Sequence, residues 1–365
     1  MDRNDILSVA SRFVISGKPE RVERYGSGHI NDTYAVTTPR RRYILQRLNT
    51  SIFTEPEQLM ENMLLVTDWL RERIAARGGD PFRETLTPIL TPDGESSLRD
   101  ENGGFWRMTA FIEDSFSFDR ADDPSVLCEA GRGFGRFMRE LCDFPAERLH
   151  ETIPNFHNTP LRLEALKNSV EADAFGRLDG AKSEVEGYLS RAEAYSKRYE
   201  QAVRELPLRV THNDTKINNI LFDSNTRRAL AVVDLDTVMP GLSAFDFGDA
   251  IRTGAATADE DTQHPETMGV SVELFSAYAR GYFDGAGHIS EGERNALTFG
   301  AKLMTYECGA RFLTDWLSGD TYFKTSRPMH NLERARAQLA LLENMERRSD
   351  ELEHAITEAE KETKL

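Results

Sequence analysis

The sequence R-V-T-H-N-D-T-K-I-N-N-I-L-F-D fills residues 209–223, and A-V-V-D-L-D-T-V-M-P-G fills residues 231–241. Short apolar runs at residues 219–222 and 229–233 predict two strands, and the polar residues between them predict a turn. A hairpin of this kind returns the end of its second strand toward the start of its first strand. We therefore expect Asp234, which follows the second strand, to approach the loop that carries Asp214.

The polar side chains around this hairpin suit phosphoryl transfer. Asp214 and Asn219 have the spacing H-x-D-x-x-x-x-N, and Asp234 adds a second carboxylate. One carboxylate and one amide oxygen form the oxygen-rich site that Mg²⁺ prefers, so we assign Asn219 and Asp234 as metal ligands. Asp214 is then left to accept the proton of an incoming hydroxyl group. Asp and Asn are also common in ordinary turns, but the strand, turn, strand and second Asp in this order favour the catalytic interpretation.

The first hundred residues predict a small sheet with one long helix. Strands are expected at residues 21–25, 33–37, 42–48 and 105–112. Thr54 and Glu57 have the spacing of a capping box, and the apolar positions after them repeat at helical intervals as far as Gly78. This pattern predicts a helix that follows the third strand.

The rest of the chain is mostly helical according to its apolar periodicity. Helices are predicted within residues 126–141, 161–203 and 295–317, and from residue 332 to the C-terminus. A polar break after residue 112 predicts two lobes, residues 1–112 and residues 113–365. Gly131, Gly133 and Gly135 lie in the first predicted helix of the second lobe, where we expect them to permit close helix packing.

The composition excludes several classes of function. The chain has 45 Lys and Arg against 61 Asp and Glu, and this net charge of -16 opposes binding to nucleic acids or to anionic membranes. No apolar run approaches the roughly 20 residues of a membrane helix, and the N-terminus lacks a signal-peptide pattern. Three cysteines without disulfide or metal spacing fit a reducing compartment. We expect a cytoplasmic protein that needs no nucleic acid, no membrane and no obligatory protein partner.

Several stretches of the chain match known motifs closely. H-N-D-T-K-I-N-N at residues 212–219 and V-V-D-L-D at residues 232–236 resemble the catalytic and metal motifs of the aminoglycoside phosphotransferase superfamily, a small-molecule branch of the protein-kinase-like fold. Longer stretches resemble its N-acetylhexosamine 1-kinases: G-S-G-H-I-N-D-T-Y at 26–34, R-Y-I-L-Q-R-L-N-T-S-I-F at 42–53, F-D-F-G-D-A-I-R at 245–252 and E-C-G-A-R-F-L-T-D-W-L-S-G-D-T-Y-F at 307–323.

The resemblance implies a two-lobed α+β fold of the protein-kinase-like type, with a small β-rich N-terminal lobe and a large helical C-terminal lobe. It implies ATP and Mg²⁺ as cofactors, and phosphorylation of the anomeric C1 hydroxyl of N-acetylglucosamine or N-acetylgalactosamine. In this role Asp214 is the base, and Asn219 and Asp234 are the magnesium ligands. The substrate-binding residues that it implies are Asp214, Asp234, Thr237, Arg311 and Tyr322.

The nucleotide site is expected in the N-terminal lobe. We assign to it Gly26, Ser27, Gly28, Asn31, Gln46, Phe111 and Ile112. Glycines let backbone N–H groups approach a phosphate, but Asn31 stands where G-x-G-x-x-G has its third glycine. Gln46 stands where protein kinases carry a lysine on the third strand, so it can donate to a phosphate oxygen but brings no charge. Adenine is expected near the connection at residues 109–112.

Two other functions compete with the sugar kinase. A kinase for another small alcohol, such as an amino alcohol or an aminoglycoside, fits the same catalytic residues. A nucleotide-binding pseudokinase is favoured by Gln46 but disfavoured by the intact Asp214, Asn219 and Asp234. Arg311 in the expected substrate region favours a neutral or acceptor-rich ligand.

Other polar residues near the motifs receive structural roles. We expect His212 to pack within the loop rather than transfer protons. Asp246 and Asp249 are expected to brace the catalytic loop and to cap the helix that follows. Asp236 either supports the metal ligands or contacts the metal itself.

Overall fold

A computed structural model describes residues 2–26 and 30–363 of the chain. Its strands are β1 (Arg21–Arg24), β2 (Asp32–Thr37), β3 (Arg42–Arg47), β4 (Ser97–Arg99), β5 (Phe105–Ala110), β6 (Ser115–Phe116), β7 (Arg209–Thr211), β8 (Ile220–Asp223), β9 (Ala229–Val232) and β10 (Met239–Gly241). Its α-helices are α1 (Arg3–Ala10), α2 (Pro56–Ala76), α3 (Pro81–Glu84), α4 (Pro124–Glu140), α5 (Thr159–Ala172), α6 (Lys182–Leu189), α7 (Ala192–Glu205), α8 (Ser243–Gly254), α9 (Val272–Ala286), α10 (Glu291–Leu317), α11 (His330–Arg347) and α12 (Ser349–Thr363). Within the described ranges, no helix combines the length and apolar composition that crossing a bilayer requires.

Two compact units make up the fold. The first contains the chain up to residue 116 together with 143–154 and 221–239, and the second contains 117–142, 155–220 and the chain from residue 240. The first unit holds an antiparallel sheet with helices α1 to α3, whereas the second is mostly helical. The expected α+β class, with a small sheet part and a large helical part, is confirmed. The lobe boundary after residue 112 stays a prediction, and the units themselves are discontinuous along the chain.

The sheet of the first unit has the strand order β1-β2-β3-β5-β4. Its antiparallel register places Gln46 of β3 between Thr33 of β2 and Arg107 of β5. Side chains alternate between the two faces of a strand, so these three cross-strand neighbours share one face. The register therefore creates a row of three polar side chains across the centre of the sheet.

Apolar side chains cover both faces of this sheet. The cluster on the α1 face contains Ile6, Val9, Ala10, Phe13, Tyr34, Val36, Tyr43, Leu45, Leu98, Trp106 and Met108. On the opposite face, Phe105 clusters with Leu59, Met60 and Met63 of α2. Because both faces are covered, every residue of β5 is buried, as its apolar sequence predicts.

Helix α2 begins without a side-chain cap. Its N-cap residue is Glu55, which makes no capping hydrogen bond, and Pro56 occupies the first position. The capping box expected between Thr54 and Glu57 is wrong, since Glu57 instead forms a 2.7 Å ion pair with Arg99. Proline lacks a backbone N–H and has a φ angle suited to a first turn, which favours this start.

The hairpin expected next to the catalytic motif is confirmed, because β8 and β9 are hydrogen-bonded neighbours. The turn between them depends on Asp223, whose Oδ1 accepts a hydrogen bond from Thr226 N at 2.8 Å. Arg83 of α3 adds an ion pair to Asp223 at 2.9 Å. The Thr226 backbone hydrogen bond, followed by the Arg83 bond, lowers the pKa of Asp223 to about 2. Strand β9 then leads directly into the D-L-D segment at residues 234–236.

Glycines allow helices α4 and α9 of the second unit to pack with their backbones in contact. A Cβ atom on Gly131 would lie 2.2 Å from the carbonyl oxygen of Tyr278, and one on Gly135 would lie 2.3 Å from that of Tyr282. Gly133 is buried in the same helix. The packing role expected for Gly131 and Gly135 is therefore confirmed.

Helices α8 and α10 approach each other equally closely. A Cβ atom on Gly248 would lie 2.2 Å from the carbonyl oxygen of Gly300, and one on Gly300 would lie 2.0 Å from that of Ala244. Either side chain would push one backbone away from the other. This contact fixes α8, which follows the D-L-D segment, against α10, the helix that carries Arg311.

Candidate active site

Asp214 and Asn219 contact each other directly in the second unit. The Asn219 side-chain nitrogen donates one hydrogen bond to Asp214 Oδ2 at 2.9 Å and another to the Asp214 carbonyl oxygen at 2.8 Å. A short 3-10 turn at residues 217–219 positions the amide for both bonds. The Asp214 side chain is 30% exposed, whereas Asn219 is buried. A buried amide thus orients a carboxylate that solvent, or a bound hydroxyl group, can reach.

Lys216 forms an ion pair with this carboxylate, with Nζ 3.0 Å from Asp214 Oδ1. Burial raises the pKa of Asp214, but the charge of Lys216 and the hydrogen bonds from Lys216 and Asn219 outweigh it, so the pKa lies below its ordinary value. The Asp214 carboxylate in turn raises the pKa of Lys216. Asp214 is therefore ionised at neutral pH, which is the form that can accept a proton.

Helix α8 holds the backbone of the catalytic loop through two carboxylates. Asp246 accepts hydrogen bonds from the main-chain nitrogens of His212 at 2.8 Å and Asn213 at 2.7 Å. Asp249 accepts one from Thr215 N at 2.9 Å. The expected bracing role of Asp246 and Asp249 is confirmed. The expectation that they cap the helix is wrong, since both lie inside α8, which begins without a side-chain cap.

The loop between β7 and the 3-10 turn contains a left-handed residue, and the α8 carboxyl group that braces this loop has a shifted pKa. Asn213 has a φ of 63°, a conformation that Asn adopts more readily than most residues. Burial raises the pKa of Asp246 to about 6, although His212 and the two backbone hydrogen bonds act in the opposite direction. A substitution at either residue would change the path of the backbone next to Asp214.

His212 is a packing residue, as expected. Its ring makes edge contacts with Phe134 and Phe137, with centroids 5.7 and 6.0 Å away. Its Nδ1 accepts a hydrogen bond from Asp214 N at 3.3 Å. The imidazole therefore fills the space between α4 and the catalytic loop.

The D-L-D segment belongs to the first unit, where three protein groups contact Asp236. Asp236 Oδ2 accepts a hydrogen bond from Asn31 Nδ2 at 2.6 Å, and Oδ1 lies 2.5 Å from Nη2 of Arg107. The Asp236 carbonyl oxygen accepts a further bond from Thr152 Oγ1 at 3.0 Å. Both carboxylate oxygens of this buried residue therefore face protein groups.

The backbone before and after Asp236 is held in a defined conformation. Asp234 adopts a left-handed conformation with a φ of 61° and leads into a 3-10 turn at residues 235–237. Thr237 is buried, and the next carbonyl, that of Val238, accepts a hydrogen bond from Asn62 Nδ2 of α2 at 3.0 Å. The segment that carries Asp234 is thus tied to both the sheet and α2.

The two residues expected to bind Mg²⁺ offer suitable donor atoms. The nitrogen of the Asn219 amide faces Asp214, so the amide oxygen lies outside those hydrogen bonds. Asp234 offers a carboxylate from the first unit, and such oxygen donors are those that Mg²⁺ prefers. In the part of the chain that the structure describes, no group of three or more His, Cys, Asp or Glu residues is arranged to hold a metal ion. Asn219 and Asp234 as ligands stay a prediction.

The glycine turn expected to cover the phosphates is only partly described. Gly26 has a φ of 74°, whereas Ser27 and Gly28 lie outside the described residues. Asn31 Oδ1 accepts a hydrogen bond from Asn49 N at 2.9 Å, and its amide nitrogen is the donor to Asp236. Asn31 therefore fastens the chain between the glycine turn and β2.

Gln46 is engaged by both of its cross-strand neighbours. Its side-chain nitrogen donates to Thr33 Oγ1 at 3.2 Å, and its side-chain oxygen accepts from Arg107 Nε at 3.0 Å. Sequence reasoning does not identify Arg107, because it stands in an apolar strand and nothing nearby in the sequence reveals its partners. It is 2% exposed, which is unusual for a charged residue.

The expected adenine region follows β5. The Phe111 ring lies under the Arg42 guanidinium at 3.8 Å and makes an edge contact with Tyr25 at 5.5 Å. Ile112 is buried, and its carbonyl oxygen accepts a hydrogen bond from Ser115 Oγ at 2.6 Å. Nucleotide binding by Phe111 and Ile112 stays a prediction.

Arg311 and Tyr322, expected to bind substrate, lie together in the second unit. Arg311 Nη2 lies 3.5 Å from the Tyr322 hydroxyl. Its guanidinium is 5.2 to 5.7 Å from the ring centres of Phe156, Tyr322 and Phe323. Burial, and then the charge of Arg311, lowers the pKa of Arg162. Two cations and three aromatic rings therefore occupy one region.

A buried carboxylate and an imidazole contact each other next to this region. Glu307, one helical turn before Arg311, lies 2.9 Å from His157 Nδ1 and accepts a hydrogen bond from Thr159 Oγ1 at 2.7 Å. Burial raises the pKa of Glu307, but these partners outweigh it and lower the pKa. The His157 ring also makes an edge contact with Phe245 of α8, with ring centres 5.7 Å apart. No sequence signal connects His157 with Glu307, because they are 150 residues apart.

Comparison with known proteins gives one family and several similar folds. The model of the phosphotransferase enzyme family (APH) matches residues 21–290. The choline kinase from Cryptosporidium parvum Iowa II is 11% identical, with a TM-score of 0.61 and coverage of 97% of both chains. A microcompartment-associated aminopropanol kinase is 12% identical, with a TM-score of 0.59 and coverage of 96% of this chain and 98% of that chain. A spectinomycin phosphotransferase, in complex with ADP and spectinomycin, is 11% identical, with a TM-score of 0.57 and coverage of 93% and 99%.

Proposed function

We propose a specific reaction for this chain, which belongs to the phosphotransferase enzyme family: transfer of the terminal phosphoryl group of ATP to the C1 hydroxyl of an N-acetylhexosamine. The acceptor is N-acetylglucosamine or N-acetylgalactosamine, and the products are its 1-phosphate and ADP. The family supports phosphoryl transfer. The groups around Asp214 support the chemistry at a hydroxyl group, and those around Arg311 support a sugar as the acceptor.

Asp214 is the base in this proposal. The C1 oxygen forms a bond to the γ-phosphorus while the bond from that phosphorus to the bridging oxygen of ADP breaks, and Asp214 takes the hydroxyl proton. The lowered pKa of Asp214 keeps it ionised before transfer, and the Asn219 amide keeps its Oδ2 oriented. Asn219 and Asp234 would hold Mg²⁺, which when bound neutralises charge on the phosphates.

The nucleotide is assigned to the first unit. The phosphates are assigned to Gly26, Ser27, Gly28, Asn31 and Gln46, and the adenine is assigned to Phe111 and Ile112. Gln46 orients Arg107 through its amide oxygen and donates one N–H to Thr33, and the second N–H of the amide is assigned to a phosphate. Asp234 and Thr237 are also assigned to the binding of the sugar, and Asp234 is therefore assigned to both the sugar and the metal ion.

The observation that carries the sugar assignment is the positive charge around Arg311. Neither Arg311 nor Arg162 forms a salt bridge within residues 2–26 and 30–363, since their hydrogen bonds go to Tyr322 and to a backbone carbonyl. Choline and aminopropanol, named for two similar structures, are cations that this charge repels. Hydroxyl and acetamido oxygens instead accept hydrogen bonds from a guanidinium. The three aromatic rings beside Arg311 offer apolar surface to the C–H faces of a sugar ring.

The test is ADP release by the purified chain with ATP and Mg²⁺ in the presence of single acceptors. We expect turnover with N-acetylglucosamine or N-acetylgalactosamine. The methyl glycoside of the same sugar is the matched control, because it lacks the C1 hydroxyl and is not expected to react. Turnover only with amino alcohols or aminoglycosides would mean that the acceptor is a cation and not an N-acetylhexosamine. ATP binding without turnover on any acceptor would instead identify a pseudokinase.

A further inference from the structure

Gln46 occupies the strand position where protein kinases place a phosphate-binding lysine, and its own contacts indicate a different use. Its side-chain oxygen accepts a hydrogen bond from Arg107 Nε at 3.0 Å. Its side-chain nitrogen donates a hydrogen bond to Thr33 Oγ1. The amide therefore orients a cation on the neighbouring strand β5, directly opposite Gln46 in the sheet register.

The remaining contacts of Arg107 identify what the cation acts on. Nη1 lies 3.7 Å from the Met63 sulfur of α2, which is a weak partner. Nη2 lies 2.5 Å from Asp236 Oδ1, and both side chains of this pair are at most 5% exposed. A charge buried so completely requires an opposite charge, and a buried ion pair by itself is weak evidence for stability. Stability alone therefore does not explain why both buried charges are present, and the pair has a role other than packing.

The role follows from the position of Asp236 in the chain. Asp236 stands two residues after Asp234, the proposed metal ligand, whose backbone has the less common left-handed conformation. Asn31 donates a hydrogen bond to Asp236 Oδ2, Thr152 donates one to its carbonyl oxygen, and Arg107 forms an ion pair with Oδ1. This arrangement engages Asp236 with the protein and restrains the short segment that presents Asp234.

We propose that Arg107 is the positioning cation of the nucleotide and metal site. It stands on β5 in place of a lysine on β3, and it acts through Asp236 by fixing the D-L-D segment so that Asp234 can bind Mg²⁺. Gln46 sets the orientation of its guanidinium. This inference rests on the proposed function, because it assumes that the chain binds ATP with Mg²⁺.

The experiment measures ATP affinity by calorimetry with and without Mg²⁺, and it requires no acceptor and no turnover. In the wild type, Mg²⁺ strengthens ATP binding. In Arg107→Met we expect this Mg²⁺ effect to fall by about tenfold or more, as for groups that orient metal ligands, while metal-free ATP affinity changes by about twofold at most. Arg107→Lys retains the charge but loses the geometry with Gln46, so an intermediate Mg²⁺ effect is expected.

Two further variants separate positioning from folding. Arg107→Met/Asp236→Asn removes both buried charges, so its melting temperature recovers relative to Arg107→Met while the Mg²⁺ effect stays low. Arg99→Met is the matched control, because Arg99 lies on neighbouring β4 in an exposed ion pair, and it keeps the wild-type Mg²⁺ effect.

A wild-type Mg²⁺ effect in folded Arg107→Met, or in the double variant if the single variant does not fold, overturns the inference and leaves the proposed function intact. Absence of ATP binding by the wild type overturns the proposed function, and the inference with it.

Discussion

Lys216 Nζ lies 3.0 Å from Asp214 Oδ1, so the proposed base forms an ion pair with a cation two residues further along the chain. Asn219 holds the other carboxylate oxygen. The ion pair favours the ionised carboxylate, and it also supplies a positive charge close to the place where the acceptor oxygen must come. The reactivity of the loop should therefore depend on Lys216 in a way that a pH profile can measure.

Replacement of Lys216 by Met should move the acid limb of kcat/KM to higher pH. Asp214 must be ionised to accept a proton, and its pKa lies below the ordinary value because the attraction of Lys216 and its other partners outweighs burial. Without Lys216 the effect of burial remains, so the pKa rises and activity is lost at a higher pH than in the wild type. Rates measured from pH 4 to 8 check this prediction.

Lys182→Met is the matched control, since Lys182 pairs with exposed Asp179 on the surface of the same unit. Its pH profile should follow the wild type. An acid limb that stays in place in Lys216→Met would mean that Lys216 does not control the ionisation of the base.

Asp214→Asn should abolish most of the turnover and leave nucleotide binding largely intact. The amide preserves the shape of the side chain but cannot take the hydroxyl proton, so kcat should fall by about 10²- to 10⁴-fold. The dissociation constant for ATP, measured by calorimetry, should stay within about twofold of the wild-type value. Asp259→Asn is the control, because it alters an exposed ion pair with Arg120, and this variant should keep its activity. If kcat is comparable in both variants, Asp214 is not the base.

Arg311→Met should weaken acceptor binding selectively. Loss of a charge-assisted hydrogen bond should raise KM for the N-acetylhexosamine by about 10- to 100-fold, with KM for ATP unchanged. Arg198→Met is a suitable control, because Arg198 also lies over an aromatic ring, that of Phe299, at 4.3 Å. Equal increases of KM for both substrates in Arg311→Met would point to a general structural defect instead of acceptor binding.

Gly300→Ala should destabilise the protein although alanine favours helices over glycine. The added Cβ would lie 2.0 Å from the carbonyl oxygen of Ala244, so α8 and α10 must separate at a cost of about 1 to 3 kcal/mol in the free energy of unfolding. Because α8 braces the catalytic loop, kcat should fall as well. Denaturant unfolding checks the stability, with Gly180→Ala as control, since a side chain there meets nothing within 4 Å; equal stability of the two variants would contradict the packing argument.

Sequence reasoning succeeds where the signal is local. The five-residue spacing predicts a loop that carries Asp214 at one end and Asn219 at the start of the next strand, and the structure places the two side chains in hydrogen-bond contact. The apolar run at residues 105–112 predicts a buried strand, and every residue of β5, which ends at Ala110, is buried. The capping box at Thr54 fails because two residue types at the right spacing do not determine which residue starts a helix, and here Pro56 takes the first position.

The remaining parts of the site depend on partners that are distant in the sequence. Glu307 and His157 form their pair across 150 residues, and Arg107 reaches Asp236 from a strand whose sequence is otherwise apolar. Periodicity predicts that position 107 is buried but gives no indication of the carboxylate that makes burial of its charge possible. The amide of Gln46 likewise acquires its role from the register of three strands, which the sequence does not specify.

Phosphorus NMR of the product formed from ATP, Mg²⁺ and N-acetylglucosamine tests the central claim most directly, because it identifies the oxygen that receives the phosphoryl group. The account predicts a new phosphorus signal coupled to the anomeric proton of the sugar. A signal coupled to the protons at C6 or at another ring carbon, or ADP formation without any phosphorylated sugar, would contradict it.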